Sequence, residues 1–203
     1  IVAALWISTT TLYSLFVKIK NKKNKLAAMR IISRSFYGML VAHIGFAVCI
    51  VGITITSQHS VDIHQRMKVG DIIEFSDYQF HLKDLKTVSG PNYEATEAIV
   101  DVTKDEDFIT TLRSQKRIYT VRNMPMTEAG IDAGFTRDIY MALGEPLDNE
   151  SWSVRLYHKP FVRWIWLGAI LMAIGGLLAV LDKRYRLRIL KKKIITINNE
   201  AIP

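Results

Sequence analysis

Imidazole inside an apolar run is the first feature of this 203-residue sequence that could do chemistry. His43 lies in the stretch Ser35 to Ser60, which carries no charged residue other than its two histidines, His43 and His59. It stands about eight residues into the run, roughly 12 Å from the start at 1.5 Å per residue. An ionisable ring at that depth in hydrocarbon is costly, and it usually faces a bundle interior, a cavity or a cofactor. Three roles fit: axial ligation of haem iron by a neutral ring nitrogen, a hydrogen bond to a neighbouring helix, or a step in a proton relay. Spacing does not choose among them, because one histidine makes at most half of a bis-histidine site.

The remaining candidates are read more simply. His59, His64, His81 and His158 are expected to be solvated or strand-surface side chains. His59 and His64 are five residues apart, poor spacing for one helical face, so no metal site is assigned to them. Cys49, the one cysteine, has no intrachain disulfide partner and reads as a small buried residue. Asp105, Glu106 and Asp107 read as a solvated turn. No phosphate-binding glycine loop, paired-cysteine metal motif or nucleophile elbow occurs, which argues against a self-contained soluble enzyme.

The elements that must position His43 follow from where the apolar residues fall. They make up 49% of the chain and concentrate in three runs, each near the length of about 20 residues that crosses hydrocarbon. We expect transmembrane helices over 1–17, 35–56 and 160–181, the first being the truncated end of a longer helix because the chain begins at Ile1. A signal peptide fits that first run poorly, since Lys18, Lys20, Lys22, Lys23 and Lys25 follow it instead of preceding it. Residues 57–159 hold 12 Lys and Arg against 17 Asp and Glu, leaving 15 basic and 2 acidic residues for the rest. Lys18 to Arg34 and Lys183 to Lys193 each adjoin a span, so the loop 18–34 and the tail 182–203 are expected to be cytoplasmic and 57–159 extracytoplasmic. The net charge of +8 is thus a topology signal beside membrane lipid. It lacks the aromatic interleaving of a nucleic-acid surface, so no nucleic acid is expected.

Within the second span Gly38, Ala42, Gly45, Cys49 and Gly52 form a stripe of small residues that admits another helix, and Gly168, Gly175 and Ala179 offer the same in the third. Tyr157, Phe161, Trp164 and Trp166 gather at the outer end of the third span, with Arg163 as an interfacial anchor. Between the spans the pattern predicts strands over 71–75, 78–85, 95–103, 108–112, 117–121, 138–143 and 153–157. Tyr78, Phe80 and Leu82 alternate there with Gln79, His81 and Lys83. Gly70-Asp71, Ser89 to Asn92 and Gly144-Glu145-Pro146 are expected turns, and Thr127 to Gly134 a turn or loop. The expected class is a membrane protein of α-helical spans with a β-rich extracytoplasmic domain, a small antiparallel sandwich or barrel.

Five blocks in fixed order carry a further reading: Val41 to Gly45, Gly90 to Tyr93, Met126 to Gly134, Ala142 to Pro146, and Lys159 to Gly168. Together they resemble the C-terminal portion of the CcmF family of cytochrome c maturation proteins. The resemblance implies a haem lyase component of the bacterial inner membrane, with residues 57–159 on the periplasmic side. Such a component receives haem from the chaperone CcmE and promotes its thioether attachment to apocytochrome c, alongside other maturation subunits. It also implies a membrane haem b with His43 as one axial ligand to the iron; the second ligand and the tryptophan-rich haem-handling segment belong to the family's N-terminal portion. No catalytic residue is implied in this stretch, and the stretch alone is not expected to be active. The alternative is a non-enzymatic membrane scaffold or transport subunit whose external domain binds partners.

Overall fold

The computed structural model describes residues 1–22, 24–121, 123–148 and 150–182. Lys23 and the expected basic run Lys183 to Lys193 lie outside the described residues, as does the remainder of the tail. The chain divides into a helical unit, 1–54 with the stretch from Trp164, and a strand unit, Ile55–Arg163.

Four helices are described: α1 (Val2–Lys20), α2 (Lys25–Ile31), α3 (Arg34–His59) and α4 (Val162–Val180). Of these, α1, α3 and α4 are long and apolar enough to cross a membrane. The short α2 falls inside the basic segment 18–34, and the Asn24 side chain caps it by accepting the Ala27 amide at 3.2 Å.

The strand unit is an antiparallel sandwich of nine strands. They are β1 (Val61–Lys68), β2 (Ile72–Phe75), β3 (Tyr78–Ser89), β4 (Tyr93–Lys104), β5 (Asp107–Tyr119), β6 (Pro125–Glu128), β7 (Gly130–Ala133), β8 (Arg137–Pro146) and β9 (Ser151–Pro160). One sheet runs β1-β9-β8-β7 and the other β2-β3-β4-β5-β6. Phe80, Leu82, Val100, Val102 and Leu112 of the second sheet meet Met67, Ile139, Met141, Leu143, Val154 and Leu156 of the first in one buried core. Burying each such side chain contributes about 1.5–3 kcal/mol, so alternate residues of the strands hold the two layers together. In β3 the alternation Tyr78, Phe80, Leu82 would carry Asp84 inward. A bulge between Leu82 and Asp84 shifts the register and turns Leu85 toward the core instead.

Of the turn expected at Asp105, Glu106 and Asp107, only the first two residues form the hairpin turn, both at positive φ as are Ser76 and Asp77 in the β2–β3 hairpin, while Asp107 opens β5 opposite Lys104. Such turns match the twist of the flanking strands. Four expectations need correction. The strands expected at 108–112 and 117–121 are one strand, β5, whose pairing with β4 continues through the polar stretch between them and which ends at Tyr119, leaving Thr120 and Val121 in the turn that follows. Thr127 to Gly134 is not a turn or loop, since two short strands, β6 and β7, occupy it and pass the chain from one sheet to the other. Gly130 is the point of closest approach there: a β-carbon would lie 2.8 Å from the Arg113 carbonyl oxygen of β5. Gly144-Glu145-Pro146 is not a turn either but a bulged end of β8, the reversal coming between Leu147 and Ser151. Finally, β1 was absent from the expected strands because its residues, VDIHQRMK, are mostly polar and only Met67 is fully buried.

Candidate functional site

Glycines set the helical frame around His43. A β-carbon on Gly168 would lie 2.5 Å from the Gly45 carbonyl oxygen and 2.6 Å from the Cys49 amide nitrogen. One on Gly175 would lie 2.5 Å from the Gly38 oxygen and 2.6 Å from the Ala42 nitrogen. Gly52 closes the series against Ile165. α3 and α4 therefore run antiparallel with their backbones in contact, the seam that small residues permit where lipid gives no hydrophobic drive to association. Asp182, just beyond α4, accepts the Ser35 amide at 2.9 Å. This satisfies one orphan donor at the α3 N-terminus and pins the register of the pair.

His43 does not belong to that seam. It follows Ala42 by about 100° and precedes Gly45 by about 200° around the helix. Ala42 and Gly45 are filled by α4, so the space they offer goes neither to a porphyrin edge nor to a helix bearing a second histidine. Leu40 and Ala47 form another buried face of α3. On the side of Phe36, close to that face, the Lys18 ammonium of α1 sits 3.7 Å from the ring centroid. His43 is exposed at the margin of that face, beside the exposed Met39 and Phe46.

Its ring is oriented by its own helix. Nδ1 lies 2.8 Å from the Met39 carbonyl oxygen. A carbonyl only accepts, so Nδ1 carries the proton and, in the neutral ring, Nε2 keeps its lone pair. A backbone carbonyl on Nδ1–H is the outer-shell contact that metal-bound imidazoles usually make. The donor set and the apolar flank of Met39 and Phe46 fit one axial position of a haem.

The other histidines are engaged in the sandwich or at its edge. His59 Nδ1 bonds Ile55 O at 3.3 Å, and His64 accepts from Arg155 Nε at 3.3 Å while facing Asp62. His158 packs on Tyr78, and burial together with the Arg137 guanidinium pushes its pKa below the ordinary value. Among the described residues no group of His, Cys, Asp and Glu forms a metal site. Arg163, expected to be an interfacial anchor, also faces Asp138 at 3.6 Å. Tyr157 belongs to the sheet face, its ring 6.2 Å from that of Tyr140.

Residues 58–160 match the family model described as the CcmF C-terminal beta-sandwich. Over 167 residues, 82% of the chain, the sequence is 51% identical to the cytochrome c-type biogenesis protein CcmF of Pseudomonas aeruginosa. The chain belongs to the CcmF family. The protein of the same name from Escherichia coli K12 is 50% identical over 159 residues, 78% of the chain. In each case the chain spans about a quarter of the relative's length, so it corresponds to a C-terminal portion of a CcmF protein. A solved structure titled cytochrome c heme lyase CcmF shares the fold, with a TM-score of 0.72 at 17% identity, over 88% of this chain and 29% of that one. The resemblance carried by the five sequence blocks therefore holds. Sequence reasoning missed the contacts that fix the CcmF helices, Met39 O to His43 and Asp182 to Ser35. A carbonyl four residues back is available to every helical histidine, so nothing in the sequence marked it.

Proposed function

We propose that the complete protein is the haem lyase component of a cytochrome c maturation system, and that this stretch supplies one axial ligand of a membrane haem b, His43. Family membership supports the first part. The observation that carries the second is the His43 ring, held by Met39 O with Nε2 available on the exposed face of an apolar helix. A haem bound there would supply a one-electron redox centre inside the membrane. The chain's own residues do the positioning: Met39 sets the tautomer, Met39 and Phe46 exclude water, and the glycine seam with Asp182 makes α3 a rigid support. The second ligand lies outside this stretch.

In this reading 1–17, 35–56 and 160–181 span the bacterial inner membrane, 18–34 and 182–203 are cytoplasmic, and 57–159 is periplasmic. The charge split supports that orientation. The complete protein takes haem from the chaperone CcmE as substrate and attaches it to apocytochrome c, while the sandwich engages these or other maturation subunits. The test is pyridine haemochrome content of purified full-length His43→Ala protein beside wild type at matched expression. We expect loss of haem with the protein still folded. Unchanged haem content and an unchanged reduced spectrum would withdraw the ligand assignment and leave His43 as a hydrogen-bonding residue, whereas wild-type protein without a haem spectrum would favour a non-enzymatic scaffold or transport subunit.

A further inference from the structure

The end of the sandwich where the chain enters from α3 and leaves into α4 is stitched at one point. The Thr56 hydroxyl, in the last turn of α3, donates to Pro160 O at 2.7 Å. The Phe161 amide, one residue before α4, donates to Thr136 O at 2.9 Å. Phe161 has φ 57°, a left-handed conformation that lets the strand break directly into the helix. Thr136 belongs to the β7–β8 turn, and its neighbour Phe135 is 66% exposed at the tip. The turn is therefore held within one hydrogen bond of the residue at which a membrane-length helix begins.

Basic and aromatic groups surround this point on the four-stranded sheet. Lys159 Nζ stands 5.6 Å from the ring centroids of both Tyr140 and Tyr157, and Arg163 keeps half of its side chain exposed beside the buried Asp138. The acidic hairpins at Asp77 and Asp105-Glu106 belong to the other sheet but lie at the same end of the sandwich, where Asp77 acts on His158 and Lys104 and Arg137 flank the Tyr78 ring. An exposed ring with flanking Lys, Arg and Tyr at a helix–bilayer boundary has the composition that favours the headgroup region.

We propose that the β7–β8 turn is a membrane contact: Phe135 inserts into the interfacial region of the lipid bilayer, and Lys159 and Arg163 meet phospholipid phosphates. The occupant is lipid because the surface is continuous with the start of α4, and the inference rests on the reading of α4 as a span. With the turn anchored, the sandwich is held at the membrane by a third attachment besides its two chain connections.

The experiment uses full-length protein in native membranes, with Phe135 replaced by the photoreactive p-benzoylphenylalanine. A control carries the probe at Val121, which is 86% exposed near the Gly90–Asn92 end of the sandwich. Both sites are exposed, so neither replacement disturbs the core. Irradiation with radiolabelled phospholipid is expected to give a lipid adduct at 135 and none at 121. No adduct at 135, or an adduct to another segment of protein there, overturns the proposal, and equal lipid adducts at both sites do so as well. Carbonate-washed membranes separate the two ideas: protein retained in the membrane without a lipid adduct at 135 sinks the anchor alone, whereas extracted protein sinks the span reading.

Discussion

At the scale of single residues, His43 and Asp148 show how a side chain is set by backbone groups nearby. Met39 O holds the His43 ring through Nδ1, a contact that a thioether, lacking an N–H, does not make. Under the proposed ligation, His43→Met should keep part of the haem with a shifted reduced spectrum and potential, because axial-ligand identity tunes haem redox behaviour. The check is redox titration of the full-length variant. Asp148 lies in the β8–β9 reversal, where the Ser151 hydroxyl and the Glu150 and Ser151 amides bond its carboxylate, lowering its pKa to about 2. A depressed carboxylate contributes stability that is fully present above its unfolded pKa and is lost as pH falls through the folded one. Asp148→Ala should therefore melt earlier than wild type at pH 7. The gap should close between about pH 4 and pH 2, as read by thermal unfolding of the β-sheet signal in detergent. A gap that persists at pH 2 would mean the side chain acts through packing.

Elements are decided by what their neighbours allow. The α3–α4 seam leaves no room for a β-carbon at Gly168, while at Gly176 nothing lies within 4 Å. Gly168→Ala must push the helices apart or displace backbone, an overpacking cost of about 1–3 kcal/mol. Gly176→Ala should be neutral. Thermal or denaturant unfolding of the two variants in the same detergent measures the contrast, and equal stabilities would show that the seam does not hold the pair together. In the sandwich the same logic applies across sheets, where Gly130 lets β7 approach β5 and closes the side that the chain crosses.

For the whole molecule, the two units divide the charge as they divide the fold. The helical unit carries the basic segment 18–34 and the sandwich the acidic excess. Single cysteines at Lys25 and Glu94 in full-length protein, both exposed in the structure, test the orientation. An impermeant maleimide added outside spheroplasts should label position 94 and spare position 25. Labelling of 25 from outside would reverse the topology and remove the sandwich from the periplasm.

How much was legible follows from whether a signal is local. Three apolar runs, a stripe of small residues and the alternation Tyr78-Phe80-Leu82 are properties of neighbouring residues, so the sequence alone determined apolar helices, a helix seam and a half-buried strand, while the family rested on the resemblance of five ordered blocks. The extent of β5, the strand character of the polar β1 and of Thr127 to Gly134, and the bulge at Gly144 to Pro146 depend on ladder partners far along the chain. No short window records those partners. The side on which His43 is presented was decided in the same way. The sequence placed the ring at depth and put small residues beside it, but only the packing of α4 against Gly38, Gly45 and Gly52 showed that those small residues face elsewhere. A helix has many faces of similar polarity in an apolar span, and which one meets a neighbour is settled by backbone contact at distances no periodicity encodes.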